Sequence, residues 1–473
     1  MSAPRPVQAD ELVERALAAS RFEDCIVVVE DLSEAEVRFA NNTTTTSGLR
    51  ADRRVSVISL RAVGPGDDPR FTEVGTAVGV AARSGDVDVV ALVRASEAEA
   101  ATGLPAADAA PLVPGGVADA DFADPGPATS VAALAPVTEY LAGAFDRARG
   151  AGHVLAGFAT HGISTVHLGT STGLRRRHVQ PDGEVQLVAR SGDGTRSAWA
   201  GAGVETVGAA PLADMEARLE RGLAWAQRSI ELAAGRYEVL LPPDAAADLV
   251  VPFAEAMSGR DADDGRNAFA RPGGGTRVGD ALSPMPFVLS GDPADPAMAC
   301  APFVVATASG TDVSVFDNGM PIETTRWIDG GRLACLRYHR AGAAEAGVEP
   351  SPWVGNLTLS LPGATTTLEE MVATTRRGLL LTCLWYIRQV DPVTLLLTGL
   401  TRDGVYLVED GEVVGAVNNF RFNESPLGML ERCTEAGASQ RALSREWSDW
   451  FRRTAMPPLR VADFNMSSVS PAT

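Results

Sequence analysis

The chain has 473 residues, 45% hydrophobic and 21% charged, which is too long for one ordinary core and enough apolar material to fill two or three. Its formal charge of −19 argues against nucleic acid as a partner, because phosphate binding needs clustered positive charge. Every basic residue apart from histidine is arginine. The absence of lysine excludes Schiff-base chemistry, pyridoxal-phosphate anchoring and the lysine grip of a phosphate loop.

The longest apolar run, Gly378 to Ile387, stops at Arg388 and is about half the ~20 residues a membrane span requires. Met1 to Asp10 contains Pro4, Pro6 and Asp10 and lacks the basic-then-apolar pattern of a signal peptide. Five cysteines (Cys25, Cys300, Cys335, Cys383, Cys433) are dispersed, with no Cys-x-x-Cys pair. They read as buried free thiols in a reducing compartment. A cytoplasmic protein with no membrane contact is the expectation.

In chain order, an amphipathic helix is predicted from about Ala9 to Ser20, then a strand from Asp24 to Glu30. A hairpin follows with arms Glu34 to Asn41 and Arg53 to Ala62, joined by a loop through Asn42 to Gly48. Thr72 to Arg83 reads as a strand and Val87 to Ala101 as a helix. Residues 102–130, dense in Ala, Pro, Gly and Asp, read as a linker or long surface loop. A helix near Ser130 to Arg149 leads into an antiparallel meander from Val154 to Glu205, with Asp182-Gly183 and Asp193-Gly194 as turns. A helix from Pro211 to Ala234 closes that block. Beyond Gly235 strands dominate: Tyr237 to Leu241, Phe303 to Ala308, Leu357 to Leu361, Leu395 to Leu397 and Gly404 to Glu409. Pro242-Pro243-Asp244 starts a helix that runs to about Met257, kinked at Pro252. Pro272-Gly273-Gly274-Gly275-Thr276 reads as a mobile loop, and Arg175-Arg176-Arg177 as a solvated turn. The fold class is α+β: an N-terminal α/β region with an antiparallel meander, then a strand-rich C-terminal domain. The divisions fall at 1–101, 102–130, 131–234 and 235–473.

Tests for chemistry return little. None of the five histidines (His153, His161, His167, His178, His339) has the spacing of a helix-borne zinc motif. His161 and His167 would share one side of a strand, but six residues separate their Cα atoms by roughly 20 Å, too far for one ion. They read as exposed or hydrogen-bonded strand histidines. Gly162-Ile163-Ser164-Thr165-Val166 begins like a nucleophile elbow, but Val166 stands where the second glycine belongs. Asp261-Ala262-Asp263-Asp264-Gly265 lacks the spaced ligands of a calcium loop and reads as a solvated acidic turn. Asn41, Asn42, Asn318 and Asn356 read as turn asparagines bonded to local backbone. No residue is assigned a catalytic, metal or substrate-binding role.

Several segments together resemble the TldD/PmbA family, and within it the PmbA (TldE) branch. They are Arg38-Phe39-Ala40-Asn41-Asn42 with Gly48 and Arg53-Arg54, Phe316-Asp317-Asn318-Gly319, and Glu369-Glu370-Met371 with Thr375-Arg376-Arg377-Gly378. The most specific runs from Asp391-Pro392 through Leu397-Thr398-Gly399-Leu400-Thr401-Arg402-Asp403-Gly404 to Val417-Asn418-Asn419-Phe420-Arg421-Phe422-Asn423-Glu424-Ser425. The resemblance implies a heterodimer whose TldD-type subunit carries zinc on a His-Glu-x-x-x-His helix with a cysteine nearer its C-terminus. The matching helix here lies near Ala245 to Gly259, where Glu255 has no flanking histidine, and no cysteine precedes Pro457-Pro458. The implied role is therefore a non-catalytic subunit, with zinc in the TldD-type partner and a peptide or unfolded segment as substrate. The alternative is a peptide-binding or chaperone-like module without proteolysis.

Overall fold

In this computed structural model, residues 7–66 and 74–470 are described; the expected strand start at Thr72 lies outside them. Strand β1 (Asp24–Ala40) shows how its sequence is used. Cys25 to Val29 are buried without alternation, as in a strand covered on both faces, whereas Ala35, Val37 and Phe39 alternate with more exposed neighbours. Helices α1 (Ala9–Ala19) and α2 (Val89–Thr102) pack on Cys25, Val27 and Val29. Leu112, Phe303, Val304 and Phe316 cover the opposite face at Ile26 and Val28. Further along, Ala35, Val37 and Phe39 meet α3 (Ala135–Gly150) and α4 (Leu212–Trp225).

β1 is central in a six-stranded antiparallel sheet of order β3-β2-β1-β4-β5-β6. The others are β2 (Thr43–Val63), β3 (Gly75–Ser84), β4 (His153–Thr170), β5 (Arg175–Ser191) and β6 (Ser197–Val204). The sheet thus joins strands from both sides of residues 103–130. That segment holds no helix or strand beyond an isolated bridge at Pro105, yet it buries Leu112 and Phe122.

The second half holds a six-stranded and a ten-stranded sheet. Between them lies α5 (Pro243–Glu255), buried from Pro243 through Ala254. Its Ala, Leu, Val and Phe side chains contact residues of both sheets, such as Leu289, Leu357 and Met456 on one and Leu379, Leu397 and Phe464 on the other. A helix that is apolar all round is a buried one. The architecture is α+β, as the sequence implies, and no described helix is long and apolar enough to cross a membrane.

Several local expectations are corrected. Residues 43–48 are strand, not loop: the hairpin turns at Asn41 and Asn42 alone, both left-handed (φ 51° and 57°). Asp182-Gly183 lies within β5 rather than in a turn, while Asp193-Gly194 does turn. The helix expected to reach Ala234 ends at Trp225, and Ser229–Ile230 is a short strand. Phe303 to Ala308 is loop with one bridge to Pro321. Arg175-Arg176-Arg177 opens β5, each arginine paired with a carboxylate: Glu14, Asp119 and Asp121 respectively.

Candidate functional site

The end of α5 opens on a cleft of about 340 Å³. Pro252, Glu255 and Ala256 form one wall and Ser258, Asp261, Arg266 and Asn267 the floor. The facing wall is Ile387, Gln389, Pro392, Leu395 and Leu397, with Trp447 beside them. Buried Asn267 fixes the turn after α5 by donating to the carbonyls of Ala256 (3.1 Å) and Ser258 (2.8 Å). Ser258 then caps the short helix α6 (Gly259–Asp263). A Cβ at Gly259 would lie 2.1 Å from the Tyr338 ring, which Asp263 anchors through the phenol at 2.8 Å. The acidic stretch here is neutralised by arginine: Arg266 reaches Asp261 (2.7 Å) and Asp264 (2.6 Å).

Two carboxylates one turn apart on α5 hold the facing wall. Asp244 accepts from the Leu443 amide (2.9 Å) and Arg218 (2.6 Å). Asp248 accepts from the Ser444 hydroxyl (2.7 Å) and the Glu446 amide (3.1 Å). Burial pushes Asp248 up to about 7, against the pull of those donors. Glu446 passes the grip on: its carboxylate accepts from the amides of Tyr386 (2.8 Å) and Ile387 (3.1 Å) and from Arg388 (2.8 Å). Tyr386 is left-handed (φ 51°), which aims the consecutive Tyr386 and Ile387 amides at one carboxylate. Arg445 stacks between Trp199 and Trp385, with centroid distances of 5.4 and 4.7 Å. It donates to Asp403 (2.6 Å) and the Cys383 sulfur (2.9 Å). Burial opposes the Asp403 charge, but Arg445, Ser197 and Arg402 hold its pKa below the ordinary carboxylate value.

Polar side chains lining the cleft include Glu255, Ser258, Asp261, Arg266 and Asn267, and the Ser258 hydroxyl accepts from the Asp261 amide (3.3 Å). The Glu255 pKa is raised by burial against the attraction of Arg337. The donor set does not fit zinc: the cleft offers carboxylates without imidazole or thiolate, and Asp261 is already tied to Arg266.

The histidines are elsewhere. His161 and His167 lie on one face of β4, opposite Ala35 and Val29 of β1. Contrary to the exposed alternative, both are buried; His161 bonds Thr129 at 2.6 Å and His167 meets the Phe122 ring edge-on. Burial lowers the pKa of each. Ser164 sits mid-strand, opposite Leu32 and Gln180, so no strand–turn–helix elbow forms. Asn42, Asn318 and Asn356 do bond backbone, but mostly across the chain, to His153 and Leu155, to Ala306, and to Asp292 and Met298. Sequence reasoning missed Asp244, Asp248, Arg445 and Glu446. The available signal was two aspartates spaced i, i+4 in an otherwise apolar helix.

Residues 234–468 match the model of the PmbA/TldA metallopeptidase C-terminal domain. No protein with a curated description matches. Among solved structures, TldE from Thermococcus kodakarensis superposes with a TM-score of 0.75 at 15% identity, over 96% of this chain and 99% of that one. A proposed modulator of a DNA gyrase from Thermotoga maritima gives 0.73 at 16% identity, over 96% and 99%. Another from Bacteroides thetaiotaomicron gives 0.72 at 13%, over 97% and 98%. With its C-terminal half matched by the family model and its whole fold shared with these proteins, the chain belongs to the TldD/PmbA family.

Proposed function

We propose that this chain is the non-catalytic subunit of a cytoplasmic heterodimeric metallopeptidase, on the PmbA (TldE) branch, with zinc held by a TldD-type partner. The carrying observation is α5: the helix sits where the family resemblance expects zinc ligands, and Pro243 to Glu255 contains no histidine or cysteine. The likeness to TldE in fold supports the branch. The five free cysteines support a reducing compartment.

The chain's contribution is architectural. The face of β1 opposite α3 presents half-buried Glu34 and Glu36 and exposed Arg38 beside half-buried Phe158 of β4, while Thr160 on the same face is buried. Next to it, β5 meets the segment before Thr454 through Arg452–Glu184 (2.9 Å) and Arg453–Asp182 (3.0 Å). A partner set against this polar wall would enclose a chamber that admits extended peptide and excludes folded protein. The test is zinc content and peptide cleavage of the purified chain, alone and co-expressed with its TldD-type partner. Zinc and cleavage are expected in the pair only. Stoichiometric zinc with cleavage by the isolated chain overturns the proposal, and a zinc-loaded pair that binds peptide without cutting favours the chaperone-like alternative.

A further inference from the structure

The cleft at the end of α5 is apolar on one side and acidic on the other. Ile387, Leu395 and Leu397 are buried side chains that present carbon to it, and half-buried Trp447 stands beside them. The Trp447 ring is fixed, because its indole N–H donates to the Asp248 carbonyl (2.9 Å). Arg388, between the cleft residues Ile387 and Gln389, is spent on Glu446 (2.8 Å).

The charges across from that apolar wall do not balance. Among the described residues, Arg266 is the one cationic side chain on the cleft, and Asp261 (2.7 Å) and Asp264 (2.6 Å) hold it. Arg337 donates to the backbone carbonyl of Glu255, but its ion pair is with Asp312 (2.7 Å). The Glu255 carboxylate has neither a hydrogen bond nor an ion pair among the described residues. Glu255 is reachable from solvent, yet partial burial against the cleft disfavours its charge, so a cation placed there would be drawn to it.

We infer that this cleft receives one basic side chain, lysine or arginine, of the peptide held by the complex, with Glu255 as its counter-charge. This rests on the peptide-processing role proposed above. A volume of about 340 Å³ lies at the low end for a small-ligand site, enough for one long side chain and too little for a run of residues. A basic side chain is apolar along its stem and charged at its tip. The stem matches Ile387, Leu395 and Leu397; the tip matches Glu255 and the aromatic ring of Trp447. An acidic side chain would be repelled by Glu255 with Arg266 already committed, and an apolar one would crowd the carboxylate without pairing it.

The cleft is built from this chain alone, so the test is isothermal titration of the purified chain with four peptides. Each is acetyl-Gly-Ala-X-Ala-Gly-amide, with X as lysine, arginine, norleucine or glutamate. The lysine and arginine peptides are expected to bind about tenfold more tightly than the norleucine peptide, a margin that added salt reduces. Glu255→Gln is expected to abolish the margin, and Glu255→Arg to turn the preference toward glutamate, both with the melting temperature kept because Glu255 is exposed and unpaired. Equal affinity for basic and norleucine peptides, no binding of any peptide, or a margin that survives Glu255→Gln overturns the subsite. Each of those results leaves the heterodimer standing, since zinc content and mass of the co-expressed pair test it separately. A basic preference in a chain that forms no pair overturns the heterodimer and keeps the ligand class of the cleft.

Discussion

Asp248→Asn isolates the energetic consequence of a carboxylate in the middle of the core. Asp248 is 1% exposed, and burial raises it from its ordinary 3.8 to about 7, with Asp244 and Glu446 adding repulsion. Its donors, the Ser444 hydroxyl and the Glu446 amide, both reach Oδ1, so an asparagine oxygen can accept the same bonds. Because the folded pKa lies above the unfolded one, the folded state holds the proton more tightly. The resulting stability is full below about pH 4 and is lost as pH rises through about 7. Integrated from pH 5 to pH 8, the shift corresponds to roughly 2–3 kcal/mol of wild-type stability lost through this one group. Asparagine does not titrate, so Asp248→Asn is expected to gain on the wild type by that amount over the same interval. Urea midpoints of both proteins at pH 5, 6, 7 and 8 measure it. A stability difference that stays constant across the four pH values would refute the reasoning, because the carboxylate would then be charged, or neutral, throughout.

Three further outcomes follow from the same geometry. Arg445→Ala leaves Asp403, 5% exposed, without its main counter-charge and is expected to lose about 3–5 kcal/mol, whereas Arg445→Lys keeps the charge and is expected to lose less. Equal melting temperatures for the two variants would show that charge is not the issue. Gly259→Ala must displace the Tyr338 ring, whose phenol is anchored to Asp263, and is expected to lose about 1–3 kcal/mol in a denaturant titration; an unchanged midpoint would mean that the ring yields freely. Burial pushes the Cys25, Cys383 and Cys433 thiols up to about 12, so none should react with a thiol reagent at pH 8 until the chain unfolds, when all five cysteines should. Rapid native labelling of Cys383 would contradict its burial beside Arg445.

What the sequence disclosed follows from which features are local. The Pro243 start of α5 and the Asp193-Gly194 turn are short-range signals, and both stand where they were expected. Strand length was less readable. Residues 43–48 look like a loop because polar threonines flank a glycine, yet β1 pairs with them in register and overrides that local preference. Asp182-Gly183 has the composition of a turn, but β4 on one side and β6 at Gly183 on the other hold the pair in strand. The cleft was illegible for another reason: Asp248 and Glu446 are 198 residues apart, and only the three-dimensional fold brings them together.

The cleft also separates two roles that a ligand-bearing helix would combine. In this chain α5 brings Glu255 to the cleft without a histidine or cysteine, and two further carboxylates on the helix decide where the opposite wall stands. Asp248 fixes Ser444 and the Glu446 amide, Glu446 fixes the amides of Tyr386 and Ile387, and Ile387 lines the cleft. A buried charge with an unfavourable proton balance near neutral pH is a poor choice for stability alone, since an apolar residue of similar volume would pack there without the penalty. Its value lies in direction: an oxygen accepting two bonds sets the register of residues 443–446 along the helix, which dispersion contacts among alanines and valines would leave free to slide. Replacing Asp248 with leucine should therefore preserve or raise the melting temperature while loosening the 384–388 backbone, and hydrogen exchange at Tyr386 and Ile387 separates that outcome from a merely stabilising substitution.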